Sequence, residues 1–457
     1  MQNTAKRSKI IFALVAVFFA LLSVLLYRFI VYGSTWVSYT FNNHVYTSGV
    51  MTVAGTIYDR DGEILATTID GTRVYNDDET VRLSTLHVVG DTSNYIATSV
   101  QSLYQSSLIG YNFVNGLYTT LSTDDGSDIT LTIDAQVSAA AYEALGGYDG
   151  TISVYNYETG EVICMVSSPT FDPEDKPTDD IAANVDGEYD GVYLNRSISG
   201  VYTPGSTFKV VTGICAIENI EDIYTRTFTC TGEYETENGS VICNSVHGTI
   251  DFERALNVSC NCAFAELAIE LGAELMTQTV RDLGFATSID VSKATTVKST
   301  FDLSDSIDID IGWAGIGQYT TLINPTQMLM LMGAIANSGT AITPYIVESS
   351  AELIDYTGIE SSNITLSAET ADVMADMLRS NVVNYYGDSK FPDLEMCGKT
   401  GTAEVADDEP HAWFVGFSQL EDFPYAIVVC IENGGTGYSD AIPAANSVMQ
   451  VVLEELG

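Results

Sequence analysis

An α+β fold, one antiparallel sheet packed with helices behind a membrane-spanning segment and a small β-rich region, is what the patterning of this chain predicts. Three observations carry that expectation. β-branched runs with strand character stand at both ends of residues 149–457, with helical periods between them. An apolar run lies near the N-terminus behind a cluster of cations. Between the two, short β-branched runs alternate with turns.

Lys6, Arg7 and Lys9 precede the apolar run from Ile10 to Leu26, which extends through Tyr32 if Arg28 snorkels. That length approaches the roughly 20 residues that span a bilayer. The cations place the N-terminus inside and everything after about residue 33 outside. A cleaved signal peptide is the competing reading, but no small-x-small site directly follows the apolar core. Residues 1–32 are therefore expected to be a cytoplasmic tail and retained anchor.

Residues 33–148 alternate short strands with turns such as Asp59-Arg60-Asp61-Gly62 and Asp124-Asp125-Gly126-Ser127. Ser106 to Gly116, with Tyr111, Asn112 and Phe113, reads as a loop packed against this region. The composition shifts near Tyr148. Strands at Thr151–Tyr157 and Val162–Val166 flank the turn Glu158-Thr159-Gly160-Glu161. Helical periods follow at Ser206–Ile217, Ala263–Leu271, Glu274–Leu283, Thr326–Ala336 and Ala368–Arg379. Strands return at His411–Ser418 and Tyr425–Ile431, and a helix closes the chain at Ala444–Leu456.

The composition bounds the function. With 457 residues, 46% hydrophobic and 17% charged, the chain is long enough for about two or three domains. Its net charge of -43 excludes a general nucleic-acid binder, because phosphate recognition needs clustered Lys and Arg. The acidic residues are spread out, as a solvated face requires. Cys230 and Cys243 bracket a hairpin in an exported region and are disulfide candidates. Otherwise the eight cysteines read as small buried hydrophobes, since neither Cys-x-x-Cys nor a His pairing marks a metal site. His44, His87, His247 and His411 are dispersed, and His411 is expected to pack near a cleft.

Chemistry concentrates in three stretches. Thr203-Pro204-Gly205-Ser206-Thr207-Phe208-Lys209 releases a Ser-x-x-Lys from a Pro-Gly turn into an apolar helical run. Positions i and i+3 share a helix face, so the Lys209 amine can reach the Ser206 hydroxyl. A desolvated, neutral lysine can take the serine proton as a bond to a carbonyl forms. Ser259-Cys260-Asn261 offers a hydroxyl for proton shuttling and an amide, although alone it reads as a helix cap. Lys399-Thr400-Gly401, with Thr402 beyond, would give a strand edge a cation for a carboxylate, hydroxyls, and a glycine that admits a substrate backbone. Lysine is scarce beyond the N-terminal region, where only Lys176, Lys209, Lys293, Lys298, Lys390 and Lys399 occur, so two motif lysines weigh heavily.

The ordered set Ser-x-x-Lys, Ser-x-Asn, Lys-Thr-Gly resembles the penicillin-binding proteins and serine β-lactamases. Other stretches resemble the monofunctional, class B penicillin-binding proteins: Gly55 to Ala66, Leu131 to Asp134, Thr159-Gly160-Glu161, Ser168 to Pro173, Asn195-Arg196, Gly317-Gln318, Asn324 to Met328, Ala336 to Gly339, Ala412 to Gly416 and Glu432 to Gly435. The resemblance covers nearly the whole chain. It implies the penicillin-binding-protein/serine β-lactamase-like transpeptidase fold over residues 149–457, with residues 33–148 as a small pedestal.

It also implies a D,D-transpeptidase that crosslinks peptidoglycan stems ending in D-alanyl-D-alanine. Ser206 would be the nucleophile, Lys209 the base, and Ser259 with Lys399 the proton path to the leaving D-alanine. Asn261 would hold the stem amide, Lys399, Thr400 and Thr402 would hold the terminal carboxylate, and Gly401 would let the substrate backbone approach. N–H groups of Ser206 and Thr402 would form the oxyanion hole, and β-lactams would acylate Ser206. No cofactor or metal is implied. The partner implied is a SEDS-family membrane glycan polymerase, since fewer than 150 residues precede the catalytic region and no glycosyltransferase domain is recognisable.

Rival readings are a β-lactamase, a β-lactam sensor, or a scaffold that chiefly activates the polymerase. The Glu-x-x-Leu-Asn stretch of class A lactamases and the His-Glu-x-x-His of a zinc-protease sensor are both missing. Cys260 inside the middle motif is ordinary family variation. One departure is Gly317-Gln318-Tyr319, where relatives often have Gly-Gln-Gly.

Overall fold

The computed structural model describes residues 2–37, 46–47, 50–51, 53–112, 116–117, 126–350, 361, 363–406 and 408–457. Phe113, Asp124 and Asp125, part of the loop and turn expected above, lie outside them.

A single helix α1 (Gln2–Val37) carries the apolar run. Its stretch Lys6–Gly33 is 28 residues long and apolar, and residues 6–32 are exposed. At 1.5 Å per residue it extends about 42 Å, enough to cross a bilayer. The chain then forms β1 (Ile57–Tyr58), β2 (Ile64–Ile69), β3 (Thr72–Tyr75), α2 (Glu79–Val89), β4 (Ile129–Leu131) and α3 (Ala135–Leu145). It continues through β5 (Gly150–Asn156), β6 (Val162–Ser168), α4 (Lys209–Asn219), α5 (Asn261–Asp282), α6 (Pro325–Ala336), β7 (Val347–Ser349) and α7 (Ala368–Asn381). It ends with β8 (Met396–Ala403), β9 (His411–Ser418), β10 (Tyr425–Ile431) and α8 (Ile442–Leu456).

The central sheet has the order β6-β5-β10-β9-β8 and is antiparallel throughout. Strands β5, β6 and β10 are buried along their whole length, β10 as its unbroken apolar run requires when both faces are covered, and β5 with the Thr151 and Ser153 hydroxyls bonded to Ser197 Oγ. One face packs Val137, Ala141 and Leu145 of α3 with Ala445, Val448 and Val452 of α8. The other carries α4, α5, α6 and α7 in the larger core. The segments from both ends of residues 149–457 thus meet in one sheet, and β8 is its edge.

Most predicted elements stand within a few residues of their observed bounds. The stretch from Ser206 is different: Gly205–Phe208 is a 3₁₀ turn, and the α-helix starts only at Lys209. The two helices predicted at Ala263–Leu271 and Glu274–Leu283 form one element, α5, that turns at Gly272 with φ 77°. A second five-stranded sheet has the order β7-β4-β1-β2-β3, so its edge strand comes from far downstream. Its Ile57, Leu65, Ile129 and Leu131 belong to the same apolar core as Phe208 and Met328.

Polar side chains fasten the joints. Asp59 Oδ1 accepts from Asp61 N at 2.9 Å and Glu63 N at 2.7 Å, closing the Asp59–Gly62 turn. Asp134 caps α3 by accepting from Gln136 N and Val137 N. Asn324 caps α6 and donates from Nδ2 to the carbonyls of Ser197, Ile198 and Gly200. Arg196 is buried with Nε 2.6 Å from Glu432, which joins the short helical turn Arg196–Ser199 to the end of β10. These residues explain several of the scattered matches as structural.

Candidate active site

The 3₁₀ turn Gly205–Phe208 sets the position of Ser206. In a 3₁₀ helix residues i and i+3 eclipse one another, which aligns Ser206 with Lys209 more closely than an α-helix would. Lys209 Nζ is 2.9 Å from Ser206 Oγ. The turn is wedged in place: Gly205 has φ +52°, and a Cβ there would lie 2.6 Å from the Thr402 carbonyl oxygen. A Cβ on Gly317 would lie 2.1 Å from the Gly205 carbonyl oxygen. Two residues on, Tyr319 holds φ +60°, a conformation that glycine adopts freely and a residue with a Cβ rarely does.

Lys209 is fully buried and lies close to four polar atoms. Besides Ser206, its Nζ is 2.8 Å from the Ser259 carbonyl, 3.0 Å from Ser259 Oγ and 2.7 Å from Asn261 Oδ1. A neutral amine has two N–H donors and one lone pair. The carbonyl and the amide oxygen are pure acceptors and take the two donors, which leaves the lone pair for a hydroxyl. Burial lowers the Lys209 amine to about 7. The residue is thus suited to accept the Ser206 proton near neutrality.

Ser259 sits between two helices with φ +55°, a strained value for a residue bearing Cβ. In that conformation its hydroxyl lies near both lysines: Lys399 Nζ is 3.1 Å from Ser259 Oγ, as Lys209 Nζ is at 3.0 Å. Lys399 also donates to the Thr400 carbonyl at 2.9 Å. Burial first, and the neighbouring Lys209 second, hold its amine well below the ordinary lysine value. Two buried amines sharing one hydroxyl cannot both be comfortably charged. Lys209, Ser259 and Lys399 thus form a continuous hydrogen-bonded chain.

Asn261 is largely engaged within the protein. Its Oδ1 faces Lys209 and its Nδ2 donates to the Ile242 carbonyl at 2.8 Å. One amide N–H remains for a ligand.

Lys399, Thr400, Gly401 and Thr402 lie on the sheet edge β8. Thr400 N bonds to the Tyr386 hydroxyl and Asn381 donates to the Gly398 carbonyl, so the even-numbered residues aim their backbone groups away from β9. By that alternation the Thr402 N–H also points off the free edge, toward the Ser206 turn. Thr402 is exposed, and its hydroxyl accepts from Gly437 N at 3.4 Å. Gly401 lies so close to the turn that a Cβ would meet the Pro204 carbonyl oxygen at 2.6 Å. All eight sequence-predicted site residues therefore converge on one cleft.

Tyr386 is a site residue that the sequence did not reveal. It is buried in a π-helical turn, Val382–Gly387, a local form often found at functional sites. Its oxygen accepts from Thr400 N and is 3.1 Å from Thr400 Oγ1. Burial pushes the phenol up to about 12, so it stays protonated. Tyr386→Phe is expected to lower apparent affinity for a β-lactam about tenfold, roughly the 1–2 kcal/mol of two lost hydrogen bonds, with little change in limiting acylation rate. Progress curves at varied drug concentration separate the two effects, and a fall confined to the limiting rate would contradict it.

The acylation rate is expected to follow neutral Lys209. Because its folded-state value is lowered to about 7, the rate should rise through neutrality and fall about tenfold per unit at lower pH. Stopped-flow acylation between about pH 5 and 9 checks this. A flat profile would contradict it.

His411 packs rather than reacts: its Nδ1 accepts from Asn433 N, and its ring lies edge-on to Tyr202. The Cys230 and Cys243 thiols are free, without the disulfide considered above.

The family pattern described as the penicillin binding protein transpeptidase domain matches residues 150–452. Peptidoglycan D,D-transpeptidase PbpA of Mycolicibacterium smegmatis is 29% identical over 362 residues, 72% of this chain and 73% of that protein. Stage V sporulation protein D of Bacillus subtilis is 28% identical over 73% of this chain and 54% of its own length. The structure of the D,D-transpeptidase domain of a peptidoglycan glycosyltransferase from Eggerthella lenta matches with TM-score 0.74 and 28% identity, covering 88% of this chain and 99% of that one. Penicillin-binding protein A from M. tuberculosis, solved as a ceftriaxone acyl-enzyme complex, shares the fold with TM-score 0.78 at 23% identity, over 88% and 98% of the two chains. The antiparallel sheet and the extent of these matches agree: the chain belongs to the penicillin-binding-protein transpeptidase family, in its class B, monofunctional branch.

Proposed function

We propose that Ser206 carries the acyl-enzyme of peptidoglycan crosslinking. The observation that carries this reading is the 2.9 Å approach of buried Lys209 Nζ to Ser206 Oγ. Lys209 takes the hydroxyl proton as Ser206 attacks the D-alanyl carbonyl. N–H groups of Ser206 and Thr402 stabilise the oxyanion, a contribution of about 2.7–4 kcal/mol per donor in other enzymes. The proton passes through Ser259, with Lys399 beside it, to the departing D-alanine. The amine of a second stem then attacks the ester, forms the crosslink and returns the proton to Ser206. Lys399, Thr400 and Thr402 hold the terminal carboxylate, Gly401 admits the stem backbone, and the free Asn261 N–H holds the stem amide. β-Lactams imitate the dipeptide and stop at the acyl stage.

The apolar helix α1 anchors the chain with its N-terminus inside and the catalytic region outside. Residues 33–148 act as the spacer, and a SEDS-family glycan polymerase supplies the strands. Intact mass of the full chain in detergent after incubation with a penicillin tests the reading. A one-to-one adduct lost slowly supports it; rapid return with drug hydrolysed supports a lactamase, and no adduct and no hydrolysis supports a scaffold.

A further inference from the structure

Residues that acyl transfer does not use gather behind the Ser259–Asn261 loop. Cys230 ends the strand Thr227–Cys230, and Cys243 and His247 follow the hairpin formed by Glu233–Thr236 and Gly239–Ile242. Cys260 sits between Ser259 and Asn261. The sulfurs of Cys230, Cys243 and Cys260 and one ring nitrogen of His247 all lie within 4.8 Å of one another. Cys243 Sγ is 4.0 Å from Cys260 Sγ and 3.6 Å from His247 Nδ1. In a tetrahedral site with Zn–S near 2.3 Å, neighbouring ligand atoms are about 3.5–3.8 Å apart, so only a small contraction is needed.

We propose that Cys230, Cys243, His247 and Cys260 bind one borderline-soft divalent cation, zinc. Three sulfurs and an imidazole select zinc over magnesium or calcium, which prefer oxygen. Four protein ligands close the coordination shell and leave no position for a reactive water, so the ion is structural. It displaces the three thiol protons on binding. The fold shows why a staple is useful there. The hairpin is mostly exposed and buries only Val241 fully, and an isolated two-stranded hairpin is marginal in water. Yet this hairpin touches the catalytic loop, because Asn261 donates from its backbone to Cys243 Sγ at 3.2 Å and from Nδ2 to the Ile242 carbonyl. The ion would therefore fix Asn261, which in turn holds Lys209. Cys262, whose Sγ is 3.5 Å from Cys230 Sγ, lies beside the set and outside it.

Metal analysis of the full chain, purified in detergent without chelator, tests the site. The expected result is about one zinc per chain in the wild type and in Cys262→Ser, falling about tenfold in Cys243→Ser and His247→Ala. A cooperative thermal melt by circular dichroism identifies a variant that fails to fold. Wild-type protein stripped of metal and titrated with Co²⁺ then decides, by the thiolate-to-cobalt charge-transfer band and the visible spectrum of a tetrahedral ion, both abolished by added Zn²⁺. Wild-type protein without stoichiometric zinc and without those bands would overturn the assignment. So would zinc retained in both folded ligand variants, or a Cys230–Cys243 disulfide in a non-reduced peptide map. None of these readouts depends on acyl transfer.

Discussion

Ser206→Ala abolishes covalent capture of every β-lactam, the largest single effect expected in this chain. The reason is that the bond to the drug forms at Ser206 Oγ; the Ser259 hydroxyl also lies within reach of Lys209 and Lys399, but its role there is to relay the proton. Thr207 is buried with its hydroxyl donating to the Pro204 carbonyl, and Thr402 stands on the strand edge without a lysine contact. The fold should survive. The lost hydroxyl is only partly buried, and Lys209 keeps its contacts with Ser259 and Asn261. Denaturation should therefore shift by at most about 1 kcal/mol. Intact mass and a thermal melt together check this, and a residual adduct on the folded variant would refute Ser206 as nucleophile.

Removing the base has the second largest effect. Lys209→Met keeps the apolar stem inside the core and deletes the amine, so acylation should slow about 10²- to 10⁴-fold. Two stability effects oppose each other. The Asn261 Oδ1 and Ser259 carbonyl lose their donor, which costs about 1–3 kcal/mol for each one left unsatisfied. Against this, a titratable group no longer has to be buried. With its cationic neighbour gone, Lys399 should also hold its proton to higher pH. Rapid-mix acylation together with chemical denaturation measures both consequences. A rate within tenfold of wild type would mean that another group takes the proton.

Much of the site was legible in the sequence because its chemistry uses residue types that the rest of the chain avoids. Scarce lysines mark Lys209 and Lys399, and glycine marks the close approaches at Gly205 and Gly401. Strand β10 was legible from its apolar run, since burial on both faces leaves little polar alternation, whereas β5 was legible from β-branched residues beside the Glu158–Glu161 turn. What stayed hidden depends on contacts between distant segments. Tyr386 resembles any aromatic near a helix end until the chain folds it onto Thr400. His247 and Cys260 are 13 residues apart and follow no ligand spacing, yet the hairpin brings them together. The strand β7 joins the N-terminal sheet by a pairing that no local pattern encodes. The 3₁₀ turn at Ser206 likewise reflects wedging by Gly317 and Thr402 rather than propensity.

The most direct measurement supplies the full chain with a stem-peptide donor ending in D-alanyl-D-alanine and a labelled D-amino acid as acceptor, and follows the products by mass spectrometry. Acyl transfer to the amine, released D-alanine matching the label incorporated, and loss of both in Ser206→Ala are the predicted result. Hydrolysed donor without incorporated label, or incorporation that persists in Ser206→Ala, would contradict it.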